Sequence, residues 1–327
     1  MGDFLSRMWL GGCANHVTLF EPDNAKPQDQ HQHQVSGSSQ RDSTEHYLPL
    51  NRKHGTQISA SDWSLDEALS EMTQSDDEDG APSLDLFQEP AEFYQPEKPA
   101  TFTTYTLKNS KDLSLRLVGH SPLWGHLLWN AGQVISRYLE DNTEMMVQGK
   151  SVLELGAGAG LPSLVSAILG AEKVVVTDYP DPDLIENLRY NIEHCTALPD
   201  KSQIVAEGFL WGSSAEPLKA HLHPGRDGFD VLILADILFN HSEHAKLLTT
   251  IRDCLRKAPD SVALVFFTPY RPWLLEKDLH FFELAQAAGF QVNKTLVHTM
   301  DKVMFENDPG DESLRRTVFG YEVKWQV

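Results

Sequence analysis

The chain predicts an α/β protein: a mostly parallel, doubly wound sheet with helices on both faces and an antiparallel hairpin at one edge. Three observations predict it. Short apolar, β-branched runs alternate with stretches of helical periodicity through residues 151–288, the order that builds a parallel sheet. The run Val152-Leu-Glu-Leu155 opens directly into Gly156-Ala-Gly-Ala-Gly160, whose glycines let the backbone turn sharply and approach a ligand closely. The last two apolar runs, 292–297 and 317–325, have no helical stretch between them, so they pair antiparallel.

The elements follow in order. Residues 101–106 and 113–118 alternate apolar and polar side chains and predict a small hairpin. Residues 123–139 predict a helix with a wide apolar face. Leu123, Leu127, Leu128, Ala131, Val134, Ile135 and Leu139 recur at helical spacing there, with Ser121 as cap and Pro122 at the first position. Next come the strand at Val152, a helix over 161–169 with Pro162 in its first turn, and a strand over 173–178. Residues 183–195 predict a helix, 203–206 a third strand, 230–235 a fourth, 242–257 a helix and 262–267 a fifth strand. Residues 274–288 predict the last helix, with Gly289 as its C-cap.

Residues 1–85 read differently. They hold Gln30-His-Gln-His-Gln34, Ser36-Gly-Ser-Ser39 and the acidic block Asp76-Asp-Glu-Asp79. Few periodic apolar residues are present to offset chain entropy, so a disordered polar and acidic tail is expected, followed by one folded domain over 86–327. Within the tail, residues 63–72 form a weak amphipathic stretch. His31 and His33 fit a polar low-complexity tract better than a metal site.

Bulk properties narrow the function. The formal charge is -20, from 47 acidic against 27 basic residues, which argues against binding a phosphate backbone and permits a basic partner. No apolar run reaches the ~18–20 residues of a membrane-spanning helix. The start Met1-Gly-Asp-Phe-Leu-Ser6 fits the loose myristoylation pattern, but the acidic residue beside Gly2 suits that signal poorly. Cys13, Cys195 and Cys254 are scattered without metal spacing, which points to a reducing compartment and no metal. No nucleic-acid or membrane partner is expected, and the chain is expected to be a monomer.

The glycine run and the next strand together carry the chemistry. Lys173-Val-Val-Val-Thr-Asp178 ends in a carboxylate placed to accept hydrogen bonds from ribose hydroxyls, so a nucleoside-containing cofactor is expected at the carboxyl ends of the strands. The dinucleotide fingerprint is G-x-G-x-x-G. Here the spacing is G-x-G-x-G, and Glu154 stands two residues before Gly156. A nearby carboxylate repels a pyrophosphate and tolerates a cationic sulfonium. Glu154-x-Gly156-Ala157-Gly158-x-Gly160 therefore resembles motif I of the Rossmann-like seven-strand methyltransferases that use S-adenosyl-L-methionine. Glu154 either faces the methionine amino group or anchors the loop.

Further candidates follow from strand ends. The fourth strand runs into Ala235-Asp236-Ile-Leu-Phe-Asn240-His241, at the switch point where ligands bind. Ala235, Asp236, Asn240 and His241 are expected to line the pocket at the transferred methyl; the rival role for Asp236 is a cap on the next turn. Trp211, in Glu207-Gly-Phe-Leu-Trp-Gly212, sits where an adenine is expected and offers a flat apolar wall. One of Trp124 and Trp129 is expected to touch the methionine end. Tyr270, Arg271 and Trp273 are substrate-pocket candidates.

Several blocks make the resemblance more specific. They are Leu84-Asp-Leu-Phe87, Tyr94-Gln-Pro-Glu-Lys98, Leu115-Arg-Leu-Val118, Ser121-Pro-Leu-Trp-Gly-His-Leu-Leu-Trp-Asn-Ala131, Thr177-Asp-Tyr-Pro-Asp-Pro-Asp-Leu184, Phe239-Asn-His-Ser-Glu-His244 and Tyr270-Arg-Pro272. From about Leu84 onward the chain resembles the fungal protein N-terminal and lysine methyltransferases that act on translation elongation factor 1-alpha. The resemblance implies a cytoplasmic enzyme that methylates the factor's N-terminal glycine and adjacent lysine. It carries cofactor contacts onto Trp124 or Trp129, Gly156 to Gly158, Asp178, Trp211 and Ala235. The expected reaction is an in-line displacement at the sulfonium methyl by a neutral amine, with Asp236 and the Asn240/His241 loop as the catalytic group that binds and orients it. Three alternatives stand beside it. A small-molecule N-methyltransferase of the nicotinamide type shares the cofactor half. A nicotinamide-dinucleotide oxidoreductase is disfavoured by the glycine spacing, and a non-catalytic interaction protein by the intact acidic positions.

Overall fold

The computed structural model describes residues 98–119, 121 and 124–326. The expected tail over 1–85 and the blocks Leu84–Phe87 and 94–97 lie outside the described residues.

Hairpin strands β1 (Thr101–Thr106) and β2 (Asp112–Leu117) pair antiparallel. There follow α1 (Asn130–Asp141), α2 (Thr143–Met146), β3 (Ser151–Leu155), α3 (Leu161–Ile168), β4 (Lys173–Asp178) and α4 (Pro182–His194). Next are β5 (Ile204–Gly208), α5 (Glu216–Lys219), β6 (Val231–Ala235), α6 (His244–Cys254) and β7 (Val262–Phe267). The chain closes with α7 (Leu275–Ala287), β8 (Phe290–Thr299), α8 (Glu312–Arg315) and β9 (Thr317–Trp325).

Seven strands form one sheet in the order β5-β4-β3-β6-β7-β9-β8. β3 pairs parallel with β4 on one side and β6 on the other, so the strand order reverses there and leaves a crevice at the carboxyl ends. β9 runs antiparallel to both β7 and β8, the edge hairpin expected from the missing crossover.

The strands are apolar on both faces because helices cover both. Val152, Val176, Val231 and Ile233 pack with Ala131, Ile135, Leu164 and Leu188 of α1, α3 and α4. Their neighbours Leu153, Leu155, Leu232 and Leu234 pack on the other face with Leu247, Ile251 and Phe281 of α6 and α7. Successive side chains of a strand point to opposite faces, so continuous apolar runs are what a three-layer sheet requires. The β1–β2 hairpin docks on the helices. Tyr105 Oη donates to Glu140 Oε2 at 3.0 Å, and the Arg116 N–H donates to Asn191 Oδ1 at 2.8 Å.

One expected element is corrected. The helix predicted over 123–139 begins at Asn130. Trp124 takes a left-handed backbone (φ +65°), and the Trp129 Nε1–H donates to the Trp124 carbonyl at 3.1 Å. The apolar residues before Asn130 thus line a folded loop, which imitates helical periodicity because both bury one side. The expected position of Pro122 lies outside the described residues, and Ser121 is not at a helix start.

Candidate functional site

The crevice begins with the loop after β3. Gly156, Gly158 and Gly160 all have positive φ (64°, 57° and 75°), a region in which side chains with Cβ are strained. A Cβ on Gly156 would stand 2.9 Å from Ile237 Cγ2 and 3.3 Å from the Trp211 ring. The loop therefore passes close under Trp211, and glycine alone fits there. The Ala157 N–H donates to the Thr177 carbonyl at 3.0 Å, which ties the loop to β4.

Glu154 resolves toward the anchoring role. Its Oε2 accepts from the Ser163 N–H at 2.9 Å and from the Ser163 hydroxyl, at the start of α3. Burial pushes its carboxyl up to about 8, against the opposing effect of the Ser163 bonds. Asp178, at the end of β4, accepts from the Gly158 N–H (2.7 Å, Oδ2) and the Tyr179 N–H (2.7 Å, Oδ1). Burial raises its carboxyl as well. Each oxygen keeps a second lone pair for a ligand hydroxyl.

A cavity of about 810 Å³ lies over this loop, within the range of small-molecule sites. Trp124, Trp129, Glu154, Gly156, Ala157, Gly158, Asp178, Trp211, Ala235, Asp236 and Asn240 all line it. Both candidate tryptophans therefore line the cavity.

A second, aromatic cavity adjoins the first. It shares Trp124, Trp129, Asp236, Phe239 and Arg271 with it and adds Phe267, Thr268, Tyr270, Asp278 and Phe305. Trp129 meets Tyr270 edge-on at 5.1 Å and Phe305 at 6.0 Å between ring centroids. Phe305, in the long connection between β8 and β9, carried no signal in the sequence. It sits in an acidic, Gly/Pro-bounded loop and is brought in by the pairing of strands at the far edge.

Asp236 ends β6 in a left-handed conformation (φ +55°), which Asp tolerates better than most residues. Its Oδ2 accepts from the Ala131 N–H (2.8 Å) and the Tyr270 hydroxyl (3.3 Å), and its Oδ1 from the Thr268 N–H (2.6 Å). Trp129, at the N-cap of α1, makes no side-chain cap bond, so Asp236 caps that helix from another strand. The rival reading of Asp236 as a cap on its own next turn is corrected to a cap on a distant helix. Burial pushes its carboxyl up to about 7, against these hydrogen bonds.

His241 lines neither cavity; its Nε2 pairs with Asp278 Oδ1 at 2.7 Å. Asn240 is exposed at the rim. Tyr270 and Arg271 are in the aromatic cavity as expected, whereas Trp273 is 55% exposed and lines neither cavity. Pro272 opens a short 3-10 turn there, and Gly310 packs on Pro272 and the Trp273 ring. Among the described residues no group of His, Cys, Asp and Glu has the arrangement of a metal site.

Comparison with known proteins gives this geometry a family. A family model described as lysine methyltransferase matches residues 108–288, more than half of the chain. A protein N-terminal and lysine N-methyltransferase of Aspergillus fumigatus is 52% identical over 242 residues, covering 74% of this chain and 93% of that one. Its counterparts in Neurospora crassa (53% identical, 73% and 87% covered) and Schizosaccharomyces pombe (43%, 73% and 94%) carry the same name. Among solved structures, a T. thermophilus 16S rRNA methyltransferase with AdoMet and guanosine aligns over 69% of this chain and 51% of that one, at 17% identity and a TM-score of 0.42. At half-identity across nearly the whole length of its relatives, the chain belongs to the family of protein N-terminal and lysine N-methyltransferases.

Proposed function

We propose that the chain is an S-adenosylmethionine-dependent enzyme that methylates the N-terminal amine and the adjacent lysine of translation elongation factor 1-alpha, as a monomer in the cytoplasm. The observation that carries the methyl transfer is the pair of adjoining cavities, one floored by glycines and the other walled by aromatic rings, with Trp124, Trp129 and Asp236 common to both.

The residues fit the cofactor. A Cβ on Gly156 would stand 2.9 Å from Ile237 and 3.3 Å from Trp211, so glycine keeps this stretch of the cavity floor thin, as a nucleoside lying on it needs. Asp178 has lone pairs for ribose hydroxyls, Trp211 offers a face for the adenine, and Trp124 and Trp129 cover the methionine end. S-adenosylmethionine supplies a methyl group on a positively charged sulfur.

The aromatic cavity suits the other reactant. Trp129, Tyr270 and Phe305 line it, and an alkylammonium over the face of such a ring gains ~0.5–2 kcal/mol when water is excluded. Tyr270 and Asp236 hold one another and fix the start of α1, which holds Trp129 between the cavities. Alignment of amine and methyl is the main expected source of rate, roughly 7–11 kcal/mol where geometry is well matched. Elongation factor 1-alpha as substrate rests on the sequence blocks that resemble the fungal enzymes. The relatives' names, which specify a protein substrate, support a protein amine over a nicotinamide-type small molecule.

The test is recombinant protein with radiolabelled S-adenosylmethionine and elongation factor 1-alpha from a host lacking the enzyme, with the site found by mass spectrometry. Label on the N-terminal glycine and neighbouring lysine is the expected result. Cofactor binding by calorimetry without label on the factor would overturn the substrate, and absence of binding would overturn the cofactor.

A further inference from the structure

The transfer just proposed needs a neutral amine, and Asp236, the carboxylate expected to serve it, already accepts three hydrogen bonds. Its two oxygens take the N–H groups of Ala131 and Thr268 and the Tyr270 hydroxyl. A proton placed on it would compete with bonds that hold α1.

A second carboxylate lines the same aromatic cavity. Asp278 stands in the first turn of α7 and is buried. Among the described residues its hydrogen-bond partner is the His241 Nε2, 2.7 Å from Oδ1, which leaves Oδ2 without one. His241 precedes α6 and its side chain is 22% exposed, so the pair runs from the cavity wall to solvent. We propose that Asp278, held by His241, takes the proton from the incoming ammonium, and that this dyad is what allows one pocket to serve a lysine as well as an N-terminal amine. The proposal rests on the methyl transfer proposed above.

The charged surroundings are compatible. Burial pushes the Asp278 carboxyl up to about 7, with Arg271 opposing, and burial with Arg271 and Lys277 pushes His241 down to about 4. Burial thus favours a proton on Asp278 over one on His241. His244 of α6 meets the His241 ring edge-on at 5.4 Å, but its Nε2 is bonded to the Leu238 carbonyl. Arg271 Nη2 donates to the Phe239 carbonyl, and His280 of α7 acts on His244. Tyr270 and Asp236 also line the cavity.

The step balances. R–NH₃⁺ gives one proton to Asp278 and becomes R–NH₂. The nitrogen lone pair forms the new N–C bond while the C–S bond breaks, its electron pair going to sulfur. The products are R–NH₂–CH₃⁺ and a neutral thioether, and the proton leaves to water at the His241 edge. The two target amines need this help unequally. At pH 7 roughly one α-amino group in ten is neutral, against roughly one lysine in 2,500.

The test is a peptide with an N-terminal glycine followed by lysine, methylated by the full chain between pH 6.5 and 10, with each site quantified by mass spectrometry. In Asp278→Asn, lysine methylation at pH 7 is expected to fall about 100-fold and N-terminal methylation less than about 10-fold, the deficit closing toward pH 10. His241→Gln, which keeps a donor to Asp278 but does not titrate, is expected to show the same pattern, weaker. Calorimetric cofactor binding reports folding of both variants. Equal loss at both amines and at every pH, or no loss, would overturn the dyad's role; should Asp278→Asn not fold, a His241→Gln profile matching wild type would overturn it. If the wild-type chain methylates neither amine, the methyl-transfer reading fails, and the dyad's role with it.

Discussion

The two ends of β6 carry the same side chain in opposite electrostatic settings. Asp230, just before Val231, is 1% exposed; Asp236, just after Ala235, is 8% exposed. At the amino end, burial raises the Asp230 carboxyl but the Ser151 N–H and hydroxyl (both 2.9 Å) and Arg256 (2.6 Å) outweigh it, so it is held below the usual range. Arg226 adds a contact at 2.9 Å and reaches Glu172 with its other nitrogen. At the carboxyl end, Asp236 has backbone N–H groups and a tyrosine but no ion pair, and burial prevails up to about 7. One end of the strand is a structural clamp with its charge neutralised. The other is a carboxylate pushed toward its neutral form, lining both cavities of the crevice. The same residue type on one strand therefore says little by itself; the company of Arg226 and Arg256 against that of Tyr270 and Thr268 assigns the role.

Identical substitutions at the two ends test that contrast most directly. Asp230→Asn leaves Arg226 and Arg256 facing a neutral amide and is expected to cost about 3 kcal/mol of stability, measured by urea unfolding, with cofactor affinity unchanged in the fraction that folds. Asp236→Asn keeps the left-handed backbone but turns one oxygen into an NH₂ that opposes an N–H of Ala131 or Thr268. A smaller loss of about 2 kcal/mol is expected, together with a drop in methyl transfer of more than 10-fold. If Asp236→Asn destabilised more than Asp230→Asn while leaving transfer intact, the roles given to the two ends would be reversed.

Stability against pH sharpens the comparison. Asp230, with its folded carboxyl held low, contributes stability present above about pH 4 and lost as pH falls through its folded value. Glu154 and Asp236 work in the opposite sense. Raised to about 8 and about 7, they hold protons in the folded state that the unfolded chain releases above about pH 4. Stability is therefore expected to be greatest near pH 4, to fall as pH rises through about 7 to 8, and to drop again below pH 4. Glu154→Gln should flatten the alkaline limb and leave the acid limb in place; unchanged limbs in urea titrations at pH 3.5, 5.5 and 8.5 would sink this account. The smallest effect is expected at Trp273. At 55% exposure and outside both cavities, Trp273→Ala should change stability by less than about 0.5 kcal/mol and peptide methylation by less than about two-fold.

Much of this molecule was legible in the chain, and the reasons are local. Strand β3, the glycine loop and Asp178 lie within 28 residues, and the steric demands of φ > 0 and of a buried strand act at that range. The antiparallel edge was legible because a missing crossover is a property of sequence order. The start of α1 was not, because a folded loop over 124–129 buries one side as a helix does and is held by a carboxylate that arrives 105 residues later. Asp278 and Phe305 were silent for the same reason. Neither stands in a motif, and each enters the aromatic cavity from a different element.

By itself the sequence determined the layered fold, its strand types and the glycine loop and Asp178 that line the larger cavity, because periodicity, glycine spacing and strand ends act over a few residues. The tertiary structure alone decided that Glu154 ties down α3, that Asp236 caps α1, and that Asp278 with His241 stands on the aromatic wall. Hydrogen-bond partners and desolvation depend on which distant segments the sheet brings together, and no local pattern encodes them.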